Sequence, residues 1–105
     1  MQNNEFSVTE EKTDDGTLKL TVNGKINTTT SISFEKKISR AFEDGNKRIV
    51  VNMSNVPFLS SVGIRVLLKF FKRAKIEDGS FLIEDPSENV QNVLGMTALY
   101  EMLLK

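Results

Sequence analysis

The chain has 105 residues, 39% of them hydrophobic and 27% charged, with 14 basic and 14 acidic side chains and a formal net charge of zero. This is the profile of one globular domain, expected to span residues 1–105. It lacks the basic excess of a nucleic-acid binder and any apolar run near the ~20 residues that direct membrane insertion needs. The chain holds no Cys and no His, which excludes disulfides, thiolate nucleophiles, zinc–cysteine sites and a Ser-His-Asp triad within it.

Without His or Cys, acid–base chemistry would fall to carboxylates, lysines or the single Tyr100, which disfavours catalysis without excluding it; no enzyme, metal or cofactor is expected. The polar start, Met1 to Glu5, does not resemble a signal peptide, and a cytoplasmic location is expected. Phe6 and Val8 open a first strand, and Asp14-Asp15-Gly16 signals a turn. Leu18, Leu20 and Val22 alternate with polar residues as a half-buried strand, and the two strands form a hairpin. Asn23-Gly24-Lys25-Ile26 ends it or bends it onward. Asn27-Thr28-Thr29-Thr30-Ser31 is a polar run rich in helix-capping residues. Ile32, Phe34, Ile38, Ala41 and Phe42 then follow at helical spacing. Gly45 is a candidate left-handed cap for that helix.

Ile49-Val50-Val51 is a short apolar run suited to a parallel strand buried on both faces. Asn52 to Leu59 follows, with Pro57 in a loop. The next helix starts at Ser60 or Ser61, with Val62, Val66, Leu67, Phe70, Phe71 and Ala74 as its inner stripe. A serine hydroxyl there meets backbone N–H groups and the positive end of the helix dipole, which favour negative charge. Either serine serves as the cap. Gly63, costly inside a helix by about 1 kcal/mol, signals a close approach, by a partner's backbone or by the neighbouring strand or loop. Arg65 lies one turn beyond Ser61 on the same face, and Lys69, Lys72, Arg73 and Lys75 continue a basic stripe. Asp78-Gly79 ends the helix, and Phe81-Leu82-Ile83 forms another buried strand. Asp85-Pro86-Ser87 starts a further helix, with Ser87 its cap or an early helical residue and Val90, Val93 and Leu94 inside, and Gly95 breaks it. Ala98, Leu99, Met102, Leu103 and Leu104 make a last amphipathic segment. Met53, Met96 and Met102 read as core filler. The order β-β-α-β-α-β-α-α implies right-handed parallel crossovers.

Val51 to Leu68, with Pro57-Phe58-Leu59-Ser60-Ser61-Val62-Gly63 at its centre, resembles the signature of STAS domains, which include the bacterial anti-sigma factor antagonists. Gly24-Lys25-Ile26-Asn27 resembles the turn before that family's first helix, and Val93 to Leu99 its carboxy-terminal region. The resemblance implies an α/β domain with a mixed, mostly parallel sheet and helices packed largely on one side. It also implies an anti-sigma factor antagonist, a monomer or weak homodimer. Such a protein binds a GHKL-type serine kinase that holds a sigma factor, and so releases that factor. Phosphorylation would switch binding off, and a PP2C-type phosphatase would restore it. Aligned on Gly63, the phosphoacceptor is Ser61, with Ser60 the runner-up. The expected partner surface is Asn27, Thr28, Asn52, Ser60, Ser61, Val62, Gly63 and Arg65. Asn27, Asn52 and Ser60 stand where many members carry Asp, which makes the surroundings less repulsive to a phosphate. A second reading is a STAS scaffold subunit without phosphorylation, as in a lipid-transport ABC complex.

Overall fold

The computed structural model describes residues 6–96 and Leu103. Two strands, β1 (Ser7–Lys12) and β2 (Leu18–Asn23), form the antiparallel hairpin. Helix α1 (Thr30–Glu43) leads to β3 (Arg48–Asn55), which lies parallel to β2. Helix α2 (Ser61–Ile76) leads to β4 (Ser80–Glu84), parallel to β3, and α3 (Glu88–Leu94) follows. The sheet order is β1-β2-β3-β4, so the expected mixed, mostly parallel sheet is present. Strand β3 runs well beyond Ile49-Val50-Val51, because Asn52 and Asn55 continue to pair with β2 and Asn52 with β4. The expected last helix falls on Ala98, Leu99, Met102 and Leu104, outside the described residues. Leu103 is helical and buried. Among the described residues, no helix is long and apolar enough to cross a membrane.

Alternation along the strands sorts the sheet into two faces. Leu18, Leu20, Val22, Ile49, Val51, Met53, Phe81 and Ile83 join one core with the inner residues of the helices. Phe42 of α1 stacks on Phe70 of α2 at 5.6 Å between centroids, and Phe81 of β4 meets both rings within 6.5 Å. Aromatic contacts of this kind fasten helices to sheet beyond the area they bury. The opposite face carries half-buried Lys19, Thr21, Asn52 and Glu84, joined by a Lys19–Glu84 ion pair of 2.8 Å.

Three details of the pattern differ from expectation. Ile32 is 56% exposed, whereas Ser31 is 1% exposed. Ser31, Phe34, Ile38, Ala41 and Phe42 share the buried face of α1, and Ile32 lies about 120° around from it at 100° per residue. Ser31 tolerates burial because its hydroxyl donates to the Thr28 carbonyl at 2.9 Å. Met96 is 87% exposed, although Met53 is fully buried. The α2 stripe opens with buried Gly63, and Val62 sits half-buried at its edge. In the turn after α2 the left-handed residue is Asp78 (φ 59°). Gly79 is required for another reason, since a Cβ there would lie 2.1 Å from the Lys47 carbonyl oxygen.

Candidate functional site

Two loops converge at the C-terminal end of the sheet. The segment after β2 meets the segment after β3 through a parallel bridge between Ile26 and Leu59. Ile26 N–H donates to the Phe58 carbonyl at 2.8 Å, and Ser60 N–H donates to the Ile26 carbonyl at 2.8 Å. A third element braces the same loop. The Ser87 hydroxyl donates to the Val56 carbonyl at 2.5 Å, and the Asn89 amide donates to the Pro57 carbonyl at 2.6 Å. The start of α2 is thus held by the start of α1 on one side and by α3 on the other.

The serine pair divides its labour. Ser60 adopts an extended conformation (φ −80°, ψ 168°), and its hydroxyl oxygen accepts from Gly63 N–H at 3.1 Å. That is N-cap geometry, and it satisfies one of the N–H groups that a helix start leaves open. Ser60, not Ser61, is therefore the cap. Ser61 occupies the first helical position and is exposed. The first turn of α2 holds no acidic residue, so nothing within it opposes negative charge on Ser61.

Gly63 resolves to close packing inside the chain. A Cβ there would stand 2.6 Å from Leu59 Cδ1 and 2.8 Å from Ile26 Cγ2. Both neighbours are buried, Ile26 fully, so the glycine lets the two loops close against the first turn of α2.

The other expected residues fall into two groups. Asn27 Oδ1 accepts from the N–H groups of Thr29 and Thr30 at 3.0 and 2.9 Å. Asn27 N–H in turn donates to Thr30 Oγ1 at 2.9 Å. Asn27 therefore does the capping for α1, where Thr29 makes no side-chain cap bond. Thr28 is exposed beside it, and Arg65 is exposed one turn into α2. Asn52 is placed elsewhere. It lies on the sheet face away from the core, where its Nδ2 donates to Glu84 Oε2 at 3.1 Å. Its Oδ1 accepts from Ser54 N–H at 3.0 Å and from the Ser54 hydroxyl at 2.7 Å. The structure does not bring Asn52 to the serine pair. Its amide suits that position, because an aspartate could not donate to Glu84. Hydrogen bonding and attraction from Glu84 also hold the Lys19 pKa above the usual lysine range, in the same patch.

Phe58 lies on the same surface, and its sequence context does not single it out. It is 47% exposed, two residues before the cap and on the loop that pairs with Ile26. An aromatic on a loop preceding a helix is indistinguishable by pattern from a core residue, so no signal marked it. Among the described residues, no group of three carboxylates is placed to hold a metal.

Residues 9–105 match the STAS domain family. The chain belongs to that family. A relative named provisionally as an anti-sigma factor antagonist, BtrV of Bordetella bronchiseptica, is 24% identical over 79 residues, covering 75% of this chain and 68% of its own. An anti-sigma factor antagonist from Mycobacterium paratuberculosis superimposes with a TM-score of 0.85 at 22% identity, over 97% of this chain and 86% of that one. SpoIIAA, an anti-sigma factor antagonist, matches in its unphosphorylated form with a TM-score of 0.80 at 20% identity, over 94% and 86% of the two chains. Its phosphorylated form matches at 0.74 with 19% identity, over 94% and 89%. This STAS domain therefore has the fold of anti-sigma factor antagonists.

Proposed function

We propose that this STAS domain is an anti-sigma factor antagonist whose partner surface is the start of α2 with the flanking loop. Asn27, Thr28, Ser60, Ser61, Val62, Gly63 and Arg65 would form or support that surface, with Phe58 as its aromatic anchor. The partner would be an anti-sigma factor of the GHKL serine-kinase type, and occupying it would release a sigma factor. Ser61 is the proposed phosphoacceptor. The observation that carries this reading is that Ser61 stands exposed at the first helical position while the neighbouring hydroxyl of Ser60 is committed to Gly63 N–H.

A phosphate on Ser61 adds about −1.5 to −2 charges at pH 7. The helix N-terminus tolerates that charge in the free protein. An interface closed over it would have to desolvate it, which weakens binding. A PP2C-type phosphatase would restore the binding form. The test is titration calorimetry of the anti-sigma factor with wild type, Ser61→Ala and Ser61→Asp. Retained affinity for the alanine variant and at least a tenfold loss for the aspartate variant, about 1.4 kcal/mol, are expected. Equal affinity for all three would turn the reading toward a STAS scaffold that is not switched by phosphate.

A further inference from the structure

We propose that the outer face of α2 is an electrostatic docking face for an acidic surface on the anti-sigma factor. The inference rests on the function proposed above and adds the chemistry of the partner. Helix α2 carries Arg65, Lys69, Lys72, Arg73 and Lys75 and not one carboxylate. The chain as a whole has zero net charge, with 14 basic and 14 acidic side chains, so the five positive charges of this helix leave the rest with a net charge of −5. At 100° per residue, Ser61, Arg65, Lys69, Lys72 and Lys75 fall within an arc of about 120°, and Ser61 to Lys75 spans about 21 Å. All five are exposed.

The fold answers only part of this charge. Lys69 is paired with Glu35 of α1, and Arg73 Nε lies 2.8 Å from Glu77 Oε2. Among the described residues, Arg65, Lys72 and Lys75 meet no carboxylate; Lys75 instead lies over the Phe71 ring, 5.3 Å from its centroid. Like charges three and four positions apart oppose the helix. Only Arg73 and Lys75, in the last turn, gain from the helix dipole. Arg65, beyond the first turn from the positive end, gains nothing from it. Folding therefore does not account for Arg65 and Lys72, whereas an acidic partner does. Charge of one sign along a face accelerates encounter with the opposite sign and fixes orientation. The face begins at Ser61, so a phosphate there would lie one turn from Arg65 and reverse the sign at that end of the stripe.

The test is stopped-flow association of the unmodified protein with the anti-sigma factor at low and high salt. The variant carries Lys72→Glu and Lys75→Glu together, and its melting temperature checks folding. The association rate of the variant should fall about tenfold at low salt. The difference should shrink at high salt, where screening shortens to a few ångströms, and the dissociation rate should change far less. Equal association rates for wild type and variant would overturn the inference alone. Charge-dependent sedimentation with phosphatidylserine vesicles, beside charge-indifferent association with the protein, would overturn it in favour of a membrane. No association of the wild type would remove the proposed function and this inference together.

Discussion

The two helix starts that meet at the end of the sheet are built differently. At α1 the polar side chains of Asn27, Thr30 and Ser31 are tied to backbone: Asn27 to two N–H groups, Thr30 to the Lys25 carbonyl, and Ser31 to the Thr28 carbonyl. At α2 the capping falls to one residue, Ser60, and Ser61 is left facing solvent. A polar cluster consumed by its own backbone is structure. A hydroxyl left over beside a completed cap is available for chemistry. The contrast separates Asn27 and Ser60 from Ser61, although all are small polar residues at helix starts.

Substitutions can break this contrast in order of size. Gly63→Val forces side-chain carbon into Leu59 and Ile26, which join the two starts. Overpacking there should cost about 2–3 kcal/mol in urea unfolding, despite the better helix propensity. Asn27→Ala leaves the Thr29 and Thr30 N–H groups without their acceptor and should cost about 1–2 kcal/mol. Ser60→Ala removes one cap bond and should cost about 1 kcal/mol by the same measurement. Ser61→Ala should fall within about 0.5 kcal/mol of wild type, as exposed substitutions do. A destabilisation by Ser61→Ala as large as that by Ser60→Ala would erase the contrast.

Strand alternation, the hairpin, the Gly45 stop and a helix start at Ser87 are legible in the sequence, because each depends on neighbours a few residues away. Gly45 does take a left-handed conformation (φ 94°) and Ser87 does accept from Val90 N–H. What escaped depends on distant contacts. Ile32 fitted an apolar count, but the better-placed Ser31 could be buried once Thr28 offered its carbonyl. Val62 displaced Gly63 from the predicted stripe because a glycine carries no hydropathy signal, though its missing Cβ is what admits Leu59 and Ile26. The motif places Asn52 with the serines, yet strand alternation turns it to the opposite sheet face, toward Glu84. The choice between Ser60 and Ser61 as cap turned on one residue of helix boundary, which pattern does not resolve.

The central claim is that Ser61 is the modifiable serine and Ser60 the structural one. It is tested most directly by incubating wild type, Ser60→Ala and Ser61→Ala with the cognate kinase and ATP, then mapping phosphoserine by mass spectrometry. The account predicts phosphate on Ser61 in the wild type, its retention in Ser60→Ala and its loss in Ser61→Ala. Phosphate on Ser60, or undiminished phosphorylation of Ser61→Ala, would contradict it.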